Sequence, residues 1–344
     1  MKRLLLFAVA LFLLGAIPAW IIYARLHTPY RGYESAEQFV EVPPGVGTRA
    51  IGERLVDAKV IPDMFTWRAA LYATGQGRHL KAGEYRFTDP MTPAEVIAKI
   101  ARGDVYVISI TFPEGLTMTD MSRVVESHGL GTAEAFLQAA RDPAPIRALD
   151  PEARDLEGYL FPETYRVPRK TDAQKLVRLM VDRFQHVFTP ELRAAAQARG
   201  YSVRQAVTLA SIVEKETGRP EERPLVAAVY ENRLRIHMGL QCDPTVIYAL
   251  QRAGKYTGNL TRDDLQFDSP YNTYRYAGLP PGPIANPGAG SLHAVADPAD
   301  ADYLYFVSRN DGSHEFARTL DEHNRNVQKY QVQYFRDKRR SQGH

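Results

Sequence analysis

The 344-residue chain has a single cysteine, Cys242, so no internal disulfide can form and the redox compartment is left open. It contains no glycine-rich phosphate loop, no G-x-S-x-G turn and no H-E-x-x-H helix. The sequence-readable routes to phosphoryl transfer, serine hydrolysis and zinc proteolysis are therefore missing. Nine histidines are dispersed without a ligand pair at helical spacing, and neither a metal site nor a cofactor is expected. His314 and His323 lie in the C-terminal strand and helix region and are candidates to line a site, although nothing in their spacing requires it. No basic neighbour in sequence favours a thiolate at Cys242. The net charge of +3 is too small to argue for a nucleic-acid partner, and the basic cluster Arg336–Arg340 is most simply a solvated tail.

What is present begins at the N-terminus. Lys2 and Arg3 precede Leu4–Tyr23, an uncharged run of the length that crosses one bilayer. Small residues at Ala16 and Ala19 leave a cleaved signal peptide as the rival, but the run exceeds the usual apolar core of one. The expectation is an uncleaved anchor with the rest of the chain exported and an extracytoplasmic substrate.

After a polar connector, Phe39–Gly103 reads as a small α+β module. "FVEVPPG" and "KAGEYRF" read as strands, and "GTRAIGERLVDA", "FTWRAALYA" and "TPAEVIAKIARG" as helices, the last with Thr92 as N-cap and Gly103 as its end. Pro43, Gly45, Ile51, Leu55, Val60, Ala69 and Ala70 are echoed without gaps by Pro113, Gly115, Met121, Val125, Leu130, Ala139 and Ala140. A strand, turn and helix pair used twice explains the echo, with chance as the alternative. Helices are expected over Ala173–Val187, Pro190–Arg199, Val203–Glu216 and Arg223–Arg235, followed by an irregular stretch from Met238 to about Pro298. Its centre, "SPYNTYRYAGLPPGPIANPG", carries Tyr271, Tyr274 and Tyr276, and aromatics tilt a long loop toward ordered binding rather than disorder. Two strands, "DYLYFVS" and "HEFARTL", and a closing helix complete the chain.

The segment "TLASIVEKETG" places two carboxyls at the end of an apolar helix. At 100° per residue Ala206, Leu209, Ala210, Ile212 and Val213 make the apolar arc, while Thr208, Ser211 and Lys215 face away from it. Glu216 falls between Leu209 and Ile212, and Glu214 near Val207 and Ala210, so the two point in nearly opposite directions. Glu216 also lies in the last turn, where the helix dipole is negative, and both effects disfavour its ionised form. A carboxyl kept protonated near neutral pH is what a general acid requires. The plainer reading is that both glutamates edge the apolar face and reach solvent. Carboxylate chemistry with tyrosine-rich loops in an exported domain makes a glycan-cleaving enzyme one candidate class.

"ASIVEKET", "VAAVYENRLRIHMGLQCDPTVIYAL", "SPYNTY", "GLPPGPIANPG" and "YLYFVS", in this order, resemble the MltG family of YceG-like endolytic murein transglycosylases over nearly the whole chain. Cys242 departs from the pattern, where a small polar residue is expected. The resemblance implies an α+β fold class with an N-terminal transmembrane helix (1–24), a linker (25–38) and a LysM-like module (39–104). An intermediate α+β module (105–195), a mixed α/β transglycosylase domain with the long Pro/Gly/Tyr-rich loop (196–336) and a basic tail (337–344) follow. It implies an inner-membrane, single-pass enzyme with its catalytic domain in the periplasm or on the outer face of the cytoplasmic membrane. Its substrate would be nascent peptidoglycan strands, cut to leave 1,6-anhydro-N-acetylmuramyl ends and so terminate elongation, with peptidoglycan synthases as candidate partners. By the same resemblance Glu216 is the catalytic residue. Asn232, Gln241, Asp243, Tyr271, Asn272 and Tyr274 are candidates for positioning the sugar, against structural roles for Asn232 as a cap and Asp243 as a turn residue before Pro244. A wall-binding scaffold without catalysis, and a muramidase using Asp243 or Glu163 as a second carboxylate, are the alternatives.

Overall fold

A computed structural model describes residues 2–342, with side chains for 14–17 and 19–340. The chain divides into two compact units, one reaching to Ile108 and taking in Arg166–Arg169, the other made of Ser109–Tyr165 and Lys170 onward.

The first unit contains α1 (Lys2–His27), β1 (Gln38–Val42), α2 (Thr48–Asp57), α3 (Met64–Thr74), β2 (Gly83–Phe87) and α4 (Pro93–Arg102). β1 and β2 pair antiparallel with Val40 opposite Tyr85. Strand alternation turns Val40, Val42, Tyr85 and Phe87 to one face, against Ile51 and Leu55 of α2, Trp67 of α3 and Val96, Ile97 and Ile100 of α4. α4 opens on a capping box between Thr92 and Glu95 and stops at Gly103, whose φ of 80° lies in the left-handed region.

The membrane-spanning helix expected over 1–24 is not supported. Among the described residues no helix is long and apolar enough to cross a membrane. The end of α1 is engaged by the folded module: Arg25 pairs with Asp63 at 2.8 Å and Leu26 packs on the core. The single-pass inner-membrane location, with the catalytic domain held outside by this anchor, loses its basis. Met1 and the last two residues of the expected basic tail lie outside the described residues.

β3 (Ile108–Thr111) pairs with β4 (Thr164–Val167). Between them come α5 (Met118–Ser127) and α6 (Ala133–Ala140). The order strand, turn, helix, helix seen in β1–α2–α3 thus recurs in β3–α5–α6. Its turn glycines match, with φ of 78° at Gly45 and 77° at Gly115. The buried positions match too: Ile51, Leu55, Val60 and Ala70 against Met121, Val125, Leu130 and Ala140.

The second unit continues with α7 (Ala173–Val187), α8 (Pro190–Ala198), α9 (Val203–Glu216), α10 (Arg223–Arg235), α11 (Asp243–Arg252) and α12 (Ala289–Ala296). It closes with the hairpin β5 (Tyr305–Ser308) and β6 (His314–Ala317), then α13 (Leu320–Val327), a wide π turn over Gln328–Gln333 and α14 (Tyr334–Gln342). α9 is central and touches α8, α10, α11 and α12. Its middle, Ala206–Val213, is buried on all sides, so Thr208 and Ser211, expected on an outward polar face, are covered, while Lys215 of that face stays exposed. The cover is the proline-rich loop: the Ile284 amide donates to Ser211 Oγ at 3.0 Å, while Ser211 satisfies itself on the Thr208 carbonyl. The stretch expected to be irregular holds α11 and α12. α11 is started by Pro244 in its first turn and driven by burial of Thr245, Val246, Tyr248, Ala249 and Leu250.

Candidate active site

Ser202 and Gln205 form a capping box at the start of α9, and Thr217, 3% exposed, terminates it. The two glutamates of the last turn meet different surroundings. Glu214 accepts from Arg223 Nη2 at 3.0 Å, the Gly288 amide at 3.0 Å and Ser291 Oγ at 2.7 Å. It ties α9 to α10 and to the start of α12. Arg223 reaches Glu114 as well, at 2.9 Å, and a Cβ on Gly288 would collide with the Glu114 carboxyl.

Glu216 has no cation of this kind. Its Oε1 accepts from the Tyr230 hydroxyl at 2.7 Å, with the Cys242 thiol as a second side-chain donor. Tyr230 and Cys242 are 1% and 0% exposed, so this side of the carboxyl is sealed by protein. Burial raises the Glu216 carboxyl above the usual range and Asp243 pushes the same way; Cys242, Tyr230 and His314 pull it back without reversing the shift. The open side faces a cleft of about 440 Å³, also lined by Gln241, Asp243, Tyr274, Tyr305 and Phe306.

Asp243 begins α11 and accepts from Tyr274 Oη at 2.6 Å. Gln241 reaches the cleft from a backbone position with φ of 50°. Thr273 fixes this turn to the tyrosine loop: its Oγ1 accepts from the Cys242 amide at 2.9 Å and its carbonyl from the Gln241 amide at 3.3 Å. Of the residues singled out in the sequence, Glu216, Gln241, Asp243 and Tyr274 are thus brought together.

Three others are placed elsewhere. Asn232 donates to the carbonyls of Ala301 and Tyr303 at 2.7 and 3.0 Å, a staple between α10 and the approach to β5. Asn272, 0% exposed, donates to the Leu265 and Phe267 carbonyls and accepts from the Tyr274 amide, so it shapes the loop from beneath. Tyr271 packs on Tyr248 with ring centroids 5.0 Å apart and lines a separate small cavity. Glu163, a candidate second carboxylate, forms a two-pronged pair with Arg183 at 2.7 and 2.9 Å and is not in the cleft.

Sequence reasoning missed Tyr230, Arg233, Tyr305 and Phe306. A signal existed for the first two, since Val226, Tyr230 and Arg233 share one face of α10. Phe306 packs edge-on to Tyr230 with centroids 6.0 Å apart and to His314 at 5.4 Å. His314 in turn meets the buried Glu222 through Nδ1 at 2.7 Å. His314 therefore anchors the hairpin that walls the cleft, while His323 lines the cleft itself. Among the described residues no group of three or more His, Cys, Asp or Glu side chains is placed to hold a metal ion.

Fold and site define a protein with one desolvated carboxyl at the end of a central helix, open to an aromatic-walled cleft. The chain belongs to the YceG-like family, whose profile matches residues 40–329. It is 32% identical over 307 residues to the endolytic murein transglycosylase of Bacillus subtilis (strain 168), covering 85% of this chain and 84% of that protein. The endolytic murein transglycosylase of Streptococcus pneumoniae (serotype 2, strain D39) is 30% identical over 319 residues; the match covers 84% of this chain but 57% of that longer protein. A crystal structure of a yceG-like protein from Listeria monocytogenes superposes with a TM-score of 0.58 at 32% identity, covering 84% of this chain and 98% of that one.

Proposed function

We infer that this chain is an endolytic murein transglycosylase that cuts peptidoglycan strands internally, with Glu216 as its catalytic residue. The observation that carries the reading is the pairing of a raised carboxyl with an open cleft at the end of α9, in a chain whose relatives carry that name. Glu216 in its protonated form gives its proton to the oxygen between muramyl C1 and the next glucosamine. As the carboxylate it then takes the proton of the muramyl C6 hydroxyl as that oxygen closes on C1, leaving a 1,6-anhydro end. The substrate supplies its own nucleophile, so the second carboxylate of ordinary glycosidases has no task. Tyr230 holds Oε1 through its hydrogen bond, which leaves Oε2 to carry the acidic proton toward the cleft.

Gln241, Asp243 and Tyr274 are read as sugar-positioning residues around Glu216; Tyr271, Asn272 and Asn232 support that loop and helix rather than touch the sugar. Residues 39–104 are read as a LysM-like wall-binding module, and anhydro ends on nascent strands as the stop to elongation. The test is digestion of purified strands by the intact chain, with fragment lengths followed in time. Fragments of intermediate length should appear first with the wild type and be absent with Glu216→Gln. Release of disaccharides from strand ends alone, or undiminished cutting by Glu216→Gln, would refute the reading.

A further inference from the structure

Arg233 is buried, and it differs from two part-buried arginines of its unit. Arg204 and Arg223 each meet a carboxylate, Asp150 at 2.9 Å and Glu214 at 3.0 Å respectively. Arg233 is 8% exposed and, among the described residues, meets only neutral main-chain oxygens, the carbonyls of Leu304 and Leu240, each at 2.6 Å through Nε and Nη1. Its guanidinium lies over the Tyr305 ring at 5.4 Å, and it lines the Glu216 cleft. A buried cation without a counter-ion is costly unless an anion arrives.

The side chains beside it suit that anion. The His323 ring stacks on Tyr305 with centroids 5.2 Å apart, held by contact and not by hydrogen bonds. Its Nδ1 is sealed and without a partner, so the single proton of the neutral ring is free to sit on Nε2. Burial, and then the charge of Arg233, lower its pKa and keep it neutral. Asn324, one residue on, lines the same cleft. The carboxylates of the cleft are Glu216, capped by Tyr230, and Asp243, which accepts from Tyr274, and neither pairs with Arg233.

We propose that Arg233, His323 and Asn324 form an anion-binding end of the cleft that receives a carboxylate carried on the lactyl arm of the muramyl residue being cut. This rests on the murein reading above. The arm leaves the same sugar ring whose C1 is attacked, so gripping it would orient C1 toward Glu216. The carboxylate has two sources: the lactyl group itself where the stem peptide has been removed, or the stem peptide where it is present.

The experiment measures kcat/KM of the full chain on three substrates: native peptide-bearing strands, the same strands with carboxylates amidated by carbodiimide and ammonia, and amidase-stripped strands. The wild type should prefer at least one carboxylate-bearing substrate over the amidated one by about tenfold or more, the scale of a hydrogen bond to a charged group. Stripped strands cut better than native ones assign the lactyl carboxylate, which native strands hold as an amide; stripped strands cut as poorly as amidated ones assign the stem. Arg233→Lys and His323→Phe should each bring the ratio toward one. His323→Phe keeps the stack on Tyr305, so the test stands if the arginine variant fails to fold. Equal cutting of all three substrates by the wild type, or variants that slow every substrate by one common factor, would overturn the subsite. A wild type that cuts none of them would sink the murein reading, and the subsite with it.

Discussion

Two desolvated carboxyls of the second unit have raised proton affinity, in regions that differ in what lies beside them. Glu157, 3% exposed, is pushed up to about 8 by burial, even though it accepts from the Met118 amide at 2.9 Å, Asn286 Nδ2 at 3.1 Å and the Tyr248 hydroxyl at 3.2 Å. The cavity beside it is about 90 Å³, too small for a sugar ring, and is lined by Tyr271, Arg252 and the Pro281–Pro283 turn. Gly158, with φ of 88°, lets that turn press close: a Cβ there would sit 2.5 Å from Pro283. Asn286 binds the Gly158 and Leu160 amides and the Leu116 carbonyl, so the Glu157 region is a clasp between three loops. Glu216 shares the desolvation but opens on about 440 Å³. Desolvation alone does not mark a catalyst; desolvation next to room for a substrate does.

The largest expected effect breaks the two regions apart. Glu216→Gln should lower strand cleavage by at least about 10²- to 10⁴-fold, the usual contribution of a general acid-base, while Glu157→Gln should stay within a few-fold of wild type. Initial rates on purified strands, with folding checked by circular dichroism, decide this. A dead, folded Glu157→Gln would move the chemistry to the other region.

Next in size is stability. The folded-state pKa of Glu157 lies above its unfolded value, so its contribution is complete below the unfolded pKa and is lost as pH rises through about 8. Urea unfolding on either side of that pH should show Glu157→Gln gaining on the wild type toward the alkaline side. Glu214→Gln, which weakens the buried pair to Arg223, should lower stability by about 1–3 kcal/mol at neutral pH with the cleft chemistry intact.

A smaller effect is expected from Tyr230→Phe. Removing a donor to the carboxylate takes away an influence that lowers the Glu216 pKa, so the alkaline limb of the rate profile should move to higher pH. An unmoved limb would mean that Tyr230 serves packing alone. The smallest concerns the tyrosines: Tyr274→Phe releases Asp243 in the cleft and should cost a few-fold in kcat/KM, whereas Tyr271→Phe, beside Glu157, should cost less.

Helical geometry was enough to separate Glu214 from Glu216, because the directions of residues two apart on a helix differ by about 200° whatever surrounds them. Strand alternation and capping residues likewise made the first unit's elements readable, as at Thr92 and Gly103. What surrounds Glu216 was not readable in the same way. Tyr230, Cys242, Tyr274 and Phe306 come from α10, the turn before α11, the tyrosine loop and β5, and only packing unites them. Tyr271 and Tyr274 look alike in "SPYNTY", yet Asn272 and Thr273 bind the chain between them so that one faces each region. Thr208 and Ser211 read as an exposed polar face because the loop that covers them lies more than seventy residues away. The apolar run at the N-terminus read as a membrane span from its length and lack of charge; among the described residues no helix is long and apolar enough to cross a membrane.

The central claim, that one carboxyl serves as acid and then as base without a second carboxylate, is tested most directly by the chemistry of the new reducing end. Purified strands digested by the wild-type chain should give fragments whose reducing ends are all 1,6-anhydro-muramyl by mass spectrometry. Hydrated reducing ends formed at the same rate would contradict the account, because they require an activated water and a second group, with Asp243 the carboxylate in position to supply it.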